Sequence, residues 1–138
     1  MCKSLLEDDG GVLGFGAGPS GLCLARALAD SGLAVTLIER QSEEAIANPA
    51  FDGREIALTH TSRALLQQLD IWDRLPSDDV ALLRDAQVFN GPSAFALQIQ
   101  ARHAGSDHLG HLVANRAIRQ AAWDSVQAKG TTTLRAGT

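Results

Sequence analysis

Gly16-Ala17-Gly18-Pro19-Ser20-Gly21 is the stretch of this 138-residue chain that decides its fold. An apolar run, Val12 to Phe15, leads into it, and an amphipathic segment follows it. Glycines at this spacing permit a tight turn from strand to helix, a close approach of the backbone to a pyrophosphate, and close packing of the helix on the strand. The N–H groups and the positive dipole end of the new helix would then hold the phosphates. The stretch therefore predicts a phosphate-binding turn between a strand and a helix.

A second apolar run, Leu33 to Ile38, ends in Glu39, 18 residues after Gly21. An acidic residue at about this distance accepts hydrogen bonds from a ribose 2′-hydroxyl in dinucleotide-binding folds. The alternative is an ordinary glycine turn, but Ala25 and Gly32 continue the expected spacing between the turn and the second strand. We therefore predict a Rossmann-like βαβ unit that binds a dinucleotide.

The rest of the chain predicts an α/β fold with an inserted antiparallel hairpin. Asn90-Gly91-Pro92 separates two runs with strand character, 84–90 and 94–100, and Asn-Gly between such runs is a strong turn signal. The predicted parts are a disordered tail (1–10), the βαβ unit with its following helix (11–75), the hairpin insertion (80–113), and a helix and strand that return to the first sheet (115–138).

Four local features sharpen this outline. The first helix is expected to run from Pro19 to about Ser31, and residues 41–53 are expected to form a loop. Thr61 or Ser62 should start the next helix, and Asn115 is a candidate N-cap for the last one.

Composition bounds the function. The chain is 45% hydrophobic and 20% charged with a net charge of −4, which is typical of a globular protein and gives no basic surface for nucleic acid. Cys2 and Cys23 lack metal or redox spacing, and the pair His108 and His111 lacks an acidic cluster, so no metal site is predicted. No apolar run reaches the roughly 18 residues that span a bilayer, and no signal-peptide pattern is present, so a cytoplasmic location is expected.

Three segments resemble the FAD-binding start of aromatic-ring hydroxylases of the para-hydroxybenzoate hydroxylase type. The glycine motif, continued by Leu37-Ile38-Glu39-Arg40-Gln41, is the general part of the likeness. Two segments are similar to the ubiquinone-biosynthesis hydroxylases in particular: Phe51-Asp52-Gly53-Arg54-Glu55-Ile56-Ala57-Leu58, and His108-Leu109-Gly110-His111-Leu112-Val113-Ala114-Asn115 running on to Trp123. The resemblance covers about residues 11–135.

The resemblance implies FAD as cofactor, NADH or NADPH as electron donor, and hydroxylation by dioxygen of an aromatic, prenylated quinone precursor. It places the pyrophosphate on Gly16, Ala17, Gly18, Pro19, Ser20 and Gly21, the adenosine ribose on Glu39, and the adenine end near Arg40. It also implies that Arg54 reaches the FAD phosphates and that the Asn115 amide contacts the dinucleotide. No catalytic residue is named, because the flavin carries the chemistry. For the full-length enzyme it leaves open a peripheral association with a membrane or a biosynthetic complex.

Two departures qualify the likeness. Gly11 and Gly14 stand in the first strand where branched apolar residues are usual, and the family's later FAD motifs lie beyond Thr138. The chain is therefore expected to be the N-terminal part of a larger enzyme, an incomplete domain that is inactive alone. A nicotinamide-binding module of a dehydrogenase or nucleotide sensor is the alternative function, since Glu39 would suit either ribose; a fragment that folds poorly and binds nothing is a third outcome.

Overall fold

A computed structural model describes residues 11–138, so the predicted tail and Cys2 lie outside the described residues. These described residues form four α-helices and eight strands, joined in places by single 3₁₀ turns. In chain order the elements are β1 (Val12–Phe15), α1 (Pro19–Leu28), β2 (Val35–Glu39), α2 (Glu43–Ala47), β3 (Glu55–Leu58), α3 (His60–Gln68), β4 (Val80–Leu83), β5 (Asp85–Phe89), β6 (Ala96–Gln100), β7 (Gly110–Ala114), α4 (Asn115–Lys129) and β8 (Thr132–Ala136).

A parallel sheet with the strand order β1-β2-β8 carries the glycine turn. Val12 lies opposite Val35, and Leu37 lies opposite Leu134, so the first and last parts of the chain share one sheet. Val35 and Leu37 are buried beneath the helices because a parallel sheet is covered by its crossover connections. The predicted Rossmann-like βαβ unit is confirmed, and β8 is the third strand of its sheet.

Helices α1 and α4 pack together against this sheet and form the main core. Their shared face is apolar except for the buried Arg26 and Ser125, and Arg26 Nε donates to Ser125 Oγ at 3.0 Å. The Ser125 hydroxyl in turn donates to the carbonyl of Leu69 at 2.7 Å. This chain of bonds satisfies the buried polar groups and fixes the end of α3 against α4.

A second, antiparallel sheet has the order β3-β7-β4, with β7 in the centre. Strand β4 was not predicted from the sequence. Only Arg84 separates its apolar residues from β5, so the sequence pattern gives no sign that a separate strand ends there. In the structure Leu82 pairs with His111 of β7, so the run divides between two sheets.

The predicted hairpin is present as β5 and β6, an antiparallel pair that forms its own two-stranded sheet. Ala86 lies opposite Ile99 and Val88 lies opposite Leu97, so these four side chains share one side, called here the apolar face. Val88, Leu97 and Ile99 are exposed in the described part of the chain. The opposite side carries mainly acidic and amide side chains (Asp85, Gln87, Gln98 and Gln100).

Local boundaries differ from expectation at three places. Helix α1 ends at Leu28 rather than near Ser31, and the turn that follows contains Gly32 at φ +78°. The expected loop 41–53 contains α2, whose N-cap Ser42 accepts a hydrogen bond from the Ala45 N–H at 3.3 Å. Helix α3 begins at His60 because Thr59, not Thr61 or Ser62, is its N-cap.

Candidate functional site

Two glycines of the turn are required by the protein's own backbone. Gly16 has φ +94°, a region that L-residues rarely adopt, and its N–H donates to the Ile38 carbonyl at 2.8 Å. At Gly21 a Cβ would lie 1.9 Å from the Gly16 carbonyl oxygen, so no side chain fits there. These two residues fold the strand back onto the first turn of α1.

Gly18 differs from its neighbours because nothing in the described chain requires it to be glycine. Its φ of −76° suits any residue, and a Cβ built there would meet no atom within 4 Å. The surface in front of Gly18 is therefore open to close approach by a ligand. A cradle that a Cβ would fill is what a pyrophosphate needs at this position.

The start of α1 presents backbone donors beside this cradle. Pro19 is the first helical residue, and the Leu22 N–H makes the first intrahelical bond, to the Gly18 carbonyl at 3.0 Å. The N–H groups of Gly18, Ser20 and Gly21 precede that bond and have no acceptor within the helix. Together with the helix dipole they form a place for an anionic group.

Glu39 joins the end of β2 to the glycine turn. Its Oε2 accepts the Ala17 N–H at 2.7 Å, and its Oε1 accepts the Gln41 N–H at 2.9 Å. These backbone bonds, that of Gln41 first and that of Ala17 second, lower the pKa of the Glu39 carboxyl. The carboxylate is therefore ionised and fixed beside the turn, and the Ala17 N–H is directed to Glu39.

Arg40, the next residue, is exposed and lies after the end of β2. Its backbone N–H and its charge contribute to the lowered pKa of the neighbouring Glu39, after the bonds from Gln41 and Ala17. Its position leaves its side chain free to meet a ligand that extends past Glu39.

Asp52 joins two more of the expected residues, Arg54 and Asn115. Its Oδ2 accepts from Arg54 Nε at 2.9 Å, from Arg54 Nη2 at 2.7 Å and from Asn115 Nδ2 at 2.7 Å. Its Oδ1 accepts the Arg54 N–H at 3.1 Å, and Gly53 permits this short turn with φ +68°. Donation from Arg54 and then Asn115 lowers the pKa of Asp52 to about 2.

The backbone reinforces this arrangement, because the Asn115 N–H donates to the Arg54 carbonyl at 2.9 Å. Asn115 is buried at the first turn of α4, whereas the Arg54 side chain is 68% exposed. The N-cap of α4 is Ala114, so the prediction that Asn115 caps this helix is wrong. The Asn115 amide is instead held by Asp52.

A cavity of about 290 Å³ has Asn115 on its wall and reaches the start of α1. It is mostly apolar and opens between α1, β3, α3 and α4. Its lining residues include Pro19, Ser20, Cys23, Ile56, Leu66 and Asn115. Burial raises the pKa of the Cys23 thiol, so this side chain behaves as an apolar wall of the cavity.

The sequence pattern did not identify Asp52 as a site residue, although Asp52 lies in one of the segments that carry the family resemblance. The sequence feature that could have identified Asp52 is the run Asp52-Gly53-Arg54. By itself, however, this run is typical of an ordinary turn. Asp52 belongs to the site because it accepts a hydrogen bond from Asn115, which lies 63 positions later in the chain. Local residue spacing does not reveal such a contact.

Three histidines form a cluster: His60 begins α3, His108 precedes β7 and His111 lies in β7. His60, His108 and His111 pack edge to face, and Trp72 packs on His111 with 5.1 Å between the ring centroids. Within residues 11–138 no group of three His, Cys, Asp or Glu side chains is placed to hold a metal ion. No helix in that same range is long and apolar enough to cross a membrane.

The chain matches a known protein family and several known proteins in sequence. A family model described as "FAD binding domain" matches residues 11–135. The chain is 47% identical over 133 residues to "Ubiquinone hydroxylase UbiM" of Neisseria meningitidis, covering 91% of this chain and 28% of that protein. It is 31% identical over 121 residues to "3-demethoxyubiquinol 3-hydroxylase" of Escherichia coli K12, covering 87% of this chain and 31% of that protein.

Solved structures share the fold. The p-nitrophenol 4-monooxygenase PnpA from Pseudomonas putida matches with a TM-score of 0.68 and 18% identity, covering 93% of this chain and 32% of that one. The tetrameric 2-methyl-3-hydroxypyridine-5-carboxylic acid oxygenase matches with a TM-score of 0.67 and 20% identity, covering 91% and 30%. The chain thus spans about a third or less of the length of the proteins it matches.

Proposed function

Because this chain belongs to the family of FAD-binding domains, we propose that it forms the dinucleotide-binding part of an FAD-dependent aromatic-ring hydroxylase. The proposal covers the activity of a longer protein, since the curated relatives are about three times as long as the chain. On this proposal the chain alone binds part of the cofactor and is not an active enzyme.

The open cradle at Gly18 is the observation that carries the proposal. Gly16 and Gly21 are needed for the turn, whereas Gly18 leaves open space that no described protein atom fills. The N–H groups at the start of α1 would donate to the FAD pyrophosphate placed there, and the helix dipole would favour its negative charge. The residues present therefore fit the cofactor.

The remaining residues suit the other parts of FAD. Glu39, ionised and fixed beside the turn, would accept from the adenosine ribose, and Arg40 would lie along the adenine end. Arg54 would add a charge-assisted contact to the phosphates, where a guanidinium can donate two parallel bonds. Asn115, on the wall of the cavity beside Ser20, would contact the dinucleotide through its amide.

FAD supplies the redox chemistry when bound, taking electrons from NADH or NADPH and passing them to dioxygen. The residues of this chain bind and orient the dinucleotide, and the described site contributes no proton-transfer step to the proposal. The names of the two curated relatives support an aromatic, prenylated quinone precursor as the substrate class. Such a substrate partitions into lipid, so we expect the full-length enzyme to work at a membrane surface or within a biosynthetic complex.

The test is the cofactor content of the full-length protein. We expect it to copurify with non-covalent FAD, visible as flavin absorbance that is released on denaturation. The stripped apoprotein should bind FAD more tightly than NADH in a fluorescence titration. Tight NADH binding with no flavin would instead support the nicotinamide-binding module and contradict the hydroxylase.

A further inference from the structure

Asp52 holds two residues that come from different parts of the fold. It precedes β3 in the chain, whereas Asn115 begins α4, and both Arg54 and Asn115 donate to its Oδ2 atom. The Asp52 side chain is only 26% exposed, although it ends in a charged group. An ionised carboxylate can only accept hydrogen bonds, so Asp52 fixes which atoms of Arg54 and Asn115 face it.

The contact also fixes which way the Asn115 amide is turned. Since a carboxylate has no proton to donate, the amide group that faces Asp52 must be Nδ2, as the structure has it at 2.7 Å. The amide is planar, so its oxygen is turned away from Asp52. Asn115 lines the cavity beside Ser20, where that oxygen is the part of the amide able to accept from a ligand hydroxyl.

We propose that Asp52 is a positioning residue for dinucleotide binding, which holds the Arg54 guanidinium and turns the Asn115 amide so that its oxygen accepts from a hydroxyl of the bound cofactor. The inference rests on the proposed function, because it assigns Arg54 and Asn115 to FAD. Asp52 itself need not touch the cofactor.

The direction in which FAD affinity changes when Asp52 is removed distinguishes a positioning role from a purely electrostatic one. Asp52 is an anion beside residues that would bind a pyrophosphate, which is also anionic. If charge alone mattered, removal of Asp52 would strengthen FAD binding by reducing like-charge repulsion. If Asp52 positions Arg54 and Asn115, its removal weakens binding, because both side chains become free to adopt other rotamers.

The experiment is a titration of full-length apoprotein with FAD, followed by flavin fluorescence. We expect Asp52→Ala to weaken binding roughly 10-fold, as the loss of one well-oriented charged hydrogen bond would. Asp52→Asn retains one acceptor oxygen and should lose about threefold. In a background that already carries Arg54→Ala and Asn115→Ala, the further change Asp52→Ala should alter the affinity by no more than about twofold, because coupled residues are not additive.

Asp30 offers a matched control. Like Asp52, it accepts from two side chains on different elements, here Arg26 and Lys129, but it lies just beyond the end of α1 that is distant from the glycine turn. Asp30→Ala removes the same charge and should leave FAD affinity unchanged. Circular dichroism of each variant checks the fold; if Asp52→Ala does not fold, Asp52→Asn carries the test.

The outcomes separate the two claims. Wild-type apoprotein that binds no FAD overturns the proposed function together with the role of Asp52. Wild-type binding, combined with equal or tighter binding by folded Asp52→Ala or Asp52→Asn, overturns the positioning role alone. An undiminished effect of Asp52→Ala in the doubly substituted background also overturns it, since Asp52 would then act independently of Arg54 and Asn115.

Discussion

Glu39 accepts the backbone N–H of Ala17 at 2.7 Å across 22 residues of sequence. The bond ties the carboxyl end of β2 to the turn that precedes α1, so the acid at the end of the second strand is a structural part of that turn. Its second oxygen accepts the Gln41 N–H, so the carboxylate also fixes the backbone that directly follows β2. Disturbing Glu39 should therefore affect the fold as well as the cofactor.

We expect Glu39→Gln to lower the free energy of unfolding by about 1 kcal/mol, because the amide retains one acceptor oxygen and loses the second. Urea unfolding of the full-length apoprotein measures this. Since the folded-state pKa of Glu39 is lowered, its contribution to stability is present above the ordinary value of 4.5 and is lost as the pH falls through the folded pKa. A variant as stable as wild type at pH 7 would show that these bonds contribute nothing.

Gly18 and Gly21 should respond in opposite ways to substitution. Gly18→Val places a side chain where the pyrophosphate would lie but meets no protein atom, so FAD binding should be lost, whereas stability should fall by no more than about 1 kcal/mol because valine is a poorer N-cap for α1 than glycine. Gly21→Ala forces a Cβ against the Gly16 carbonyl oxygen and should destabilise the protein by at least about 3 kcal/mol. Thermal unfolding combined with FAD titration compares them. Wild-type FAD affinity in Gly18→Val would contradict the cradle.

Arg54→Ala should weaken FAD binding roughly 10- to 150-fold, which corresponds to about 1.5–3 kcal/mol for a hydrogen bond to a charged group. Arg54→Lys should recover only part of this, because an ammonium cannot make the paired contact of a guanidinium. FAD titration of the apoprotein at two ionic strengths measures both variants. Equal affinity for wild type and Arg54→Ala would reduce Arg54 to a surface residue.

The histidine cluster should make stability depend on pH. Burial first, then the charges of Arg63, His108 and His60, lower the pKa of His111 below its usual 6.5. Between the lowered value and 6.5 the unfolded state binds more protons than the folded state, so stability rises with pH there. Stability should therefore fall as the pH drops below about 6.5.

The measurement is the thermal unfolding midpoint at pH 7.5 and pH 5.5. We expect His111→Gln to show a smaller fall between the two than wild type, because the variant removes the buried titrating group. His103→Gln is the control, since His103 lies outside the cluster and is exposed. The same fall in wild type and His111→Gln would assign the dependence to other groups.

Asp70 occupies the left-handed region with φ 56° and pairs with Arg74 at 2.6 Å. Asp70→Ala and Asp70→Gly both remove the ion pair, so their difference reports the cost of a Cβ in that conformation. We expect the glycine variant to be more stable than the alanine variant by about 1 kcal/mol. Chemical unfolding of both variants decides this, and an alanine variant of equal stability would contradict it.

The sequence predicted those parts of the fold that depend on local spacing. The turn at Gly16 to Gly21, the strand ending in Glu39 and the hairpin at Asn90-Gly91 each leave a periodic or compositional signal within about 20 residues. Helix α2 is too short, at five residues, to show a helical period, and its cap at Ser42 was read as part of a loop.

The site was predicted less completely, because part of it is built from contacts between distant residues. Arg54 and Asn115 were named from a resemblance to a family, and their roles toward FAD stay predictions. Asp52, which brings them together, carries no local mark of that role. The N-cap of α4 was misassigned for the same reason, since the amide of Asn115 is engaged by a residue far away in sequence.

The two-sided hairpin has a consequence for which mutations the chain tolerates. Side chains alternate between the two sides of a strand. If one strand of the pair β5 and β6 shifted by one residue, its apolar side chains would move to the side that carries the glutamines, while those of the other strand would stay in place. Within residues 11–138 no third strand pairs with this small sheet, so the register depends strongly on the length of the connection between Phe89 and Ala96. Substitutions in that connection should be accepted far more readily than the insertion or deletion of a single residue.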